Sequence, residues 1–280
     1  MDFGIDLGRC NPRLWRDVAR AADEQGYESV WIPEHLIFPV DIASSLVEGS
    51  GHATIDPRTP TFDPFVMLAS MAAVTERIRL GTHVYNIGLR HPFVSARAVG
   101  TLDVVSNGRV EFGIGASWMK EEWDVVGLDF ATRGARVDEA IEVCRRLWTE
   151  EEIEHHGRFF DFGRTAFEPK PVQQPIAMHI GGDGPAAIRR AATVGAGWIP
   201  MNHSLEELPA SIELIHEMAA ERGRTTPIEV TVVGSVSTPG ELERYAEAGV
   251  TRVVVRPWTR SREALDAVSR FGDEVLSTLA

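Results

Sequence analysis

The chain has 280 residues, 44% of them hydrophobic, which is enough for one large core. Its formal net charge of −13 argues against nucleic acid or an anionic membrane as a partner, because both require a basic face. Cys10 and Cys144 stand far apart without a second pair, which argues against a disulfide framework and a zinc ribbon. No apolar run approaches the roughly 20 residues of a membrane helix. Met1 leads directly into the strand-like FGIDL, so the expectation is a cytoplasmic protein.

In chain order, Phe3 to Leu7 reads as a strand and Pro12 to Gln25 as an amphipathic helix ended by Gly26. Ser29 to Ile32 is the second strand and runs into Pro33-Glu34-His35. The stretch from Phe38 to Phe62 is rich in Pro, Gly, Ser, Asp and Thr. It is too long for an ordinary connection, and its place after a strand suggests an active-site lid. Asp63 caps the next helix, with Pro64 at its first position and Phe65, Leu68, Ala69 and Ala72 facing inward. Ile78 to Tyr85 forms the third strand, followed by a loop carrying Asn86, Gly88, Arg90 and His91. Pro92 opens a helix whose Phe93, Ala96, Val99, Leu102 and Val105 recur at helical spacing, and Asn107-Gly108 ends it. Val110 to Ile114 is the fourth strand, and a strand-helix-strand unit of this kind implies parallel pairing.

Gly134 to Thr149 is a helix with Val137, Ile141, Cys144 and Trp148 on one side. Ile153 to Phe162 reads as a hairpin excursion with His155, His156 and Gly157 at its turn. Strands at Ile176 to Ile180, Gly197 to Ile199, Ile228 to Gly234 and Val250 to Val255 then alternate with helices. Those helices span Pro185 to Val194, Leu205 to Arg222, Pro239 to Ala248 and Ser261 to Leu279. The pattern predicts an α/β fold, a (β/α)8 TIM barrel forming a single domain over 1–280. A long loop follows the second strand and a short excursion follows the fourth helix. A doubly wound sheet is the alternative, but no G-x-G-x-x-G follows the first strand.

Several strand ends carry residues suited to chemistry. His35, beside Glu34, can act as a general acid or base near neutral pH, or merely hydrogen-bond the long loop. Gly181-Gly182 joins a strand to the helix opening at Pro185, where backbone N–H groups can cradle a phosphate; a tight turn without ligand is the other reading. Gly113 to Ser117 forms a similar loop. Arg90, His91, Lys120, Arg133 and Arg136 add positive charge that would attract an anionic ligand, or are solvated and paired with nearby acids. Metal is not expected, since His155-His156 are adjacent and His179, His203 and His216 are scattered without ligand spacing. Nor does any serine have a G-x-S-x-G setting.

The segments RIRLGT (Arg77 to Thr82), RHP (Arg90 to Pro92), TLDVVSNGR (Thr101 to Arg109) and GIGASW (Gly113 to Trp118) resemble the bacterial-luciferase-like monooxygenase family. The closest likeness is to its branch dependent on the deazaflavin coenzyme F420. The resemblance continues through EEWDVVGLDFATRG (Glu121 to Gly134), EPKPVQQP (Glu168 to Pro175) and IGG (Ile180 to Gly182), so it spans nearly the whole chain. It implies an oxidoreductase in which Glu34 and His35 line the cofactor ring and His35 moves the proton. A cis peptide at His83-Val84 would support the ring, and Gly115, Ala116, Ser117, Gly181 and Gly182 would hold the phosphate. Where the family pattern has a third glycine, this chain has Ser117. The resemblance further implies a small-molecule substrate and a homodimer, compatible with the apolar helices after the second and third strands. Trp31, Phe38, Leu46 and Trp123 hint at an apolar substrate. Competing readings are an FMN-dependent monooxygenase using oxygen and a flavin- or deazaflavin-binding protein without turnover. An aldolase or isomerase is disfavoured, because the only lysines are Lys120 and Lys170.

Overall fold

The computed structural model describes residues 1–41, 55–236 and 239–278. Its strands are β1 (Asp2–Asp6), β2 (Ser29–Ile32), β3 (Arg79–Thr82), β4 (Tyr85–Asn86), β5 (Val110–Gly115), β6 (Glu152–His156), β7 (Asp161–Ala166), β8 (Ala177–Gly181), β9 (Gly197–Ile199), β10 (Glu229–Gly234) and β11 (Arg252–Val255). The helices are α1 (Trp15–Glu24), α2 (Pro64–Ala72), α3 (Pro92–Ser106), α4 (Lys120–Val125), α5 (Arg133–Thr149), α6 (Pro185–Val194), α7 (Leu208–Ala220), α8 (Pro239–Glu247) and α9 (Ala264–Glu274). None is long and apolar enough to cross a membrane.

Apart from the β6–β7 hairpin, every strand pairing is parallel. β1 lies between β2 and β11, and β3–β5 pairing closes the ring into the expected eight-stranded barrel. β4 resumes β3 after His83-Val84, where Tyr85 and Asn86 pair with Ile114 and Gly115 at the end of β5. The helices start and stop where local chemistry dictates. The Asp63 carboxylate accepts the N–H of Val66 at 3.0 Å, with Pro64 supplying the first helical φ of α2. Asn107 (φ 58°) and Gly108 (φ 80°) turn left-handed and end α3.

Two expectations need correction. Val105 continues the α3 spacing but is 59% exposed, because the inward stripe runs through Ala96, Val99 and Leu102 and has rotated away by that turn. His155 and His156 lie within β6, not at the turn. The turn itself is fixed from α5: the Glu139 carboxylate accepts the N–H groups of Arg158, Phe159 and Phe160. Burial alone would raise the Glu139 carboxyl, but the N–H groups of Phe160 and Phe159, together with His155, hold it below the ordinary carboxylate range.

Two apolar layers form the core. The larger lies between the strands and the helices; the smaller fills the barrel interior with Trp31, Ile199 and Val254, and Val84 packs on top of it. Below that interior layer sits a buried charge network. Arg252, 2% exposed, donates to both carboxylate oxygens of Glu28 at 2.8 and 2.9 Å and to Thr231 at 2.9 Å. Glu111 pairs with both Arg79 and His179. Charge at the bottom of a barrel reads as stability, whereas the opposite end carries function.

Candidate active site

The site is the barrel mouth, and its floor is Val84. The His83-Val84 peptide is cis, as the resemblance implied. It interrupts the β3–β4 line and places the Val84 side chain where side chains of two glycines would otherwise stand. A Cβ on Gly115 would meet Val84 Cγ2 at 2.7 Å, and one on Gly181 would meet Val84 Cγ1 at 2.8 Å. Both glycines are therefore required by the shelf they flank.

A cavity of about 450 Å³ opens above this shelf, within the size range of small-molecule sites. Its wall brings together Glu34, His35, His83, Val84, Gly115, Ala116, Ser117, Gly181 and Gly182 from four separate strand ends. Every residue to which the resemblance gave a part in proton transfer or cofactor binding lines this one space.

His35 packs against Phe38 (ring centroids 4.7 Å apart) and edge-on to Trp118 (6.0 Å). Its Nδ1 lies 3.5 Å from Oε2 of Glu122, a residue of α4 with a fully buried side chain. Glu122 also accepts the N–H of Leu36 at 2.6 Å and the side-chain amide of Asn86 at 3.0 Å. Glu34 is differently employed. It is 5% exposed, and its carboxylate accepts from Arg90 at 2.6 Å and from the N–H of Asn86 at 2.8 Å. Both of its oxygens are thus engaged, so it fixes the loop that carries His35 rather than facing the cavity as a free acid.

His83 contributes a buried Nε2 with no protein partner among the described residues. Burial lowers its pKa despite the nearby Asp6 charge, so the ring is held neutral. Ser117 adopts a left-handed φ of 62°, a conformation that favours glycine, the residue the family pattern carries there. Its Oγ accepts the N–H of Met119 at 3.3 Å, which leaves the hydroxyl proton to donate elsewhere.

The second loop needs refinement. The N–H of Gly182 is spent on the carbonyl of Ile199 at 3.1 Å, so it is not available to a phosphate. At the start of α6, Pro185 has no N–H, and the N–H groups of Ala187 and Ile188 go to the carbonyl of Gly184 at 2.9 and 3.1 Å, which leaves that of Ala186 as the first-turn donor. Asp183, adjacent, accepts from Met201 at 2.7 Å, Asn202 at 2.8 Å and His203 at 2.9 Å. These bonds keep it ionised below its usual range although its burial opposes that, and they tie the loop after β9 to the mouth.

Of the basic residues singled out from sequence, Arg133 lines the cavity, stacked over Phe130 at 4.0 Å. Arg90 serves Glu34, His91 caps α3 by accepting from Phe93, and Arg136 donates to Gly88 and sits over Phe160. Lys120 pairs with Asp124. Asn86 was named only as part of its loop, and Glu122 and Arg190 were given no site role; only their three-dimensional neighbours reveal all three. Trp31 and Trp123, taken as hints of an apolar substrate, are fully buried and lie outside the lining of the mouth cavity among the described residues. Leu46 and residues 42–54 of the expected lid lie outside the described residues.

A second cavity of about 580 Å³ shares Pro33, Glu34 and His35 with the first and continues past Cys10, Trp15, Phe38, Ile55 and Phe62. A third, about 620 Å³, lies outside the barrel between α5 and α6 and has no place in the mouth. In the barrel interior, Glu111, His179 and Glu229 converge within 4.8 Å, which sequence spacing did not anticipate. Arg79 and Arg252 already neutralise those carboxylates, so the group is a salt-bridge network in composition.

The family model described as luciferase-like monooxygenase matches residues 6–271. An uncharacterized protein of Mycobacterium tuberculosis is 34% identical over 240 residues, covering 85% of this chain and 83% of its own. The F420-dependent glucose-6-phosphate dehydrogenase of Amycolatopsis mediterranei is 26% identical over 298 residues, covering 93% and 84%. Among solved structures, a monooxygenase from Streptomyces bottropensis superposes with a TM-score of 0.81 at 22% identity over 100% of both chains, a likeness of fold.

Proposed function

Because the chain belongs to the luciferase-like monooxygenase family, we propose that it binds coenzyme F420 at the barrel mouth and transfers a hydride to or from a small organic substrate. The observation that carries this reading is the Val84 shelf, bracketed by Gly115 and Gly181 and sharing one cavity with His35. The residues fit the group. An apolar shelf suits a ring face, the orphaned Nε2 of His83 suits a polar ring edge, and the Ser117 hydroxyl with the N–H of Ala186 suits a phosphate. When bound, a deazaflavin supplies an obligate hydride carrier, because carbon replaces the reactive ring nitrogen of a flavin.

The protein's own part is orientation and proton management. His35 gives or takes the substrate proton, and the Glu122 carboxylate, 3.5 Å from its Nδ1, places a negative charge beside the protonated ring. Glu34, with Arg90 and Asn86, holds the peptide that carries His35. The second cavity, meeting the first at His35, is the substrate side, and its Trp15, Phe38 and Phe62 favour a largely apolar molecule. Val66 on α2 and Val94, Val104 and Val105 on α3 are exposed apolar residues, which supports a homodimer through these helices.

Anaerobic turnover tests the reading. Reduction or oxidation of coenzyme F420 with a ketone, alcohol or electrophilic alkene and without oxygen is the expected result. Oxygen uptake with reduced FMN instead would assign the protein to the oxygen-using monooxygenases.

A further inference from the structure

We propose that the cleft between α5 and α6, on the outside of the barrel, binds a small anionic molecule with an apolar body. The cleft encloses about 620 Å³, the scale of a small-molecule site, and it lies away from the shelf and His35. Its floor is apolar, formed by Ile141 of α5, Val194 of α6 and Pro175 before β8. Arginines stand along its rim in a chain whose formal net charge is −13.

What the arginines are bonded to decides the ligand's charge. Arg146 is paired with Glu150 at 2.8 Å, and Arg190 with Asp138 at 2.5 Å. Arg222 donates to the carbonyl of Met218 at 2.6 Å. Arg145 and Arg189 are exposed and have no side-chain partner among the described residues. Glu142 is the remaining acid in the lining, and it acts on Arg146. Close by, Arg224 caps the end of α6 by donating to the carbonyls of Ala191, Ala192 and Gly195. Burial lowers its pKa, and the Arg145 charge lowers it further. Arg145 and Arg189 are therefore the lining arginines without a carboxylate or carbonyl partner among the described residues, beside an apolar floor. A carboxylate, sulfonate or phosphate between Arg145 and Arg189 would supply a counter-charge, and arginine forks suit the planar geometry of such groups. The apolar body would lie on Val194 and Ile141.

The test is a fluorescence titration of the full-length protein with 1-anilinonaphthalene-8-sulfonate, an anion on an apolar body. Its neutral analogue N-phenyl-1-naphthylamine is titrated in parallel, and both are repeated on the R145A/R189A and R145Q/R189Q variants. Wild type should bind the sulfonate saturably, and each variant should bind it about tenfold more weakly. Added salt should weaken wild-type binding more than variant binding, and the neutral analogue should show no difference between proteins. Equal sulfonate affinity in wild type and variants overturns the proposal. So does an equal loss for the neutral analogue, which would mean a purely apolar groove. A change of sedimentation coefficient in the variants also overturns it, because the cleft would then be a contact between copies.

Discussion

Nδ1 of His35 lies 3.5 Å from Oε2 of Glu122, joining the loop after β2 to the helix after β5 across the barrel mouth. Asn86 extends the link, since its amide donates to Glu122 and its backbone N–H to Glu34. Two buried carboxylates thus bracket one asparagine beside His35, the one imidazole among the described residues that lines both cavities.

Replacing His35 by Asn should lower kcat about 100-fold while the cofactor Kd stays within about threefold, the pattern of a proton-transfer group. Glu122→Gln keeps an acceptor for Leu36 but removes the charge beside Nδ1. It should reduce kcat by about tenfold. Steady-state kinetics combined with cofactor titration checks both. Unchanged rates in H35N would remove His35 from the chemistry.

Glu34→Ala should cost stability more than Glu34's place beside His35 suggests. It leaves Arg90, whose side chain is 15% exposed, without its buried partner. Breaking such a pair costs about 3 kcal/mol. A shift of the urea midpoint with an unchanged slope is the expected signature.

Gly181→Ala should weaken cofactor binding by about tenfold in an intact barrel, because its Cβ would meet Val84 Cγ1 at 2.8 Å and push the shelf upward. In a Val84→Ala background the same change should cost much less, since the obstructing methyl is gone. Additive losses in the double variant would show that the glycine matters for another reason.

Acid stability should depend on Glu111. Burial alone would raise its carboxyl, yet His179, Arg252 and Arg79 hold it down to about 2. An unfolded Glu titrates near about 4.3, so the stability this group contributes is fully present above that pH. It is lost as pH falls through the folded value. Urea midpoints measured from pH 6 downward should therefore drop below about pH 4.3 in wild type, and with a shallower slope in Glu111→Gln.

The periodicity of strands and helices carried most of the fold. Ser29–Ile32, Gly197–Ile199 and Pro185–Val194 occur with the bounds their sequence signals suggest, because glycine, proline and β-branched runs act locally. The mouth was legible for a related reason: barrel geometry sends every strand end to one place, so Glu34, His83, Ser117 and Gly182 converge. Ion pairing was not legible. Glu122 reaches His35 across 87 positions, and Arg190 reaches Asp138 across 52. For Arg90 the sequence left open an anion-attracting or a paired role, and the partner, Glu34, stands beside it only in space. Partner choice among charges is decided by packing, which no short window of sequence contains. The same holds for Val105 and His155, whose burial and position follow from how α3 and the hairpin seat on their neighbours.

The central claim is that the Val84 shelf and its two glycine loops hold a deazaflavin. Titrating the purified protein with coenzyme F420, and in parallel with FMN, while following cofactor fluorescence tests it most directly. Saturable quenching of coenzyme F420 at micromolar protein, with FMN unaffected, is the predicted result. Binding of FMN alone would contradict the deazaflavin assignment and place the chain among the oxygen-using monooxygenases. Binding of neither would contradict the mouth as a cofactor site.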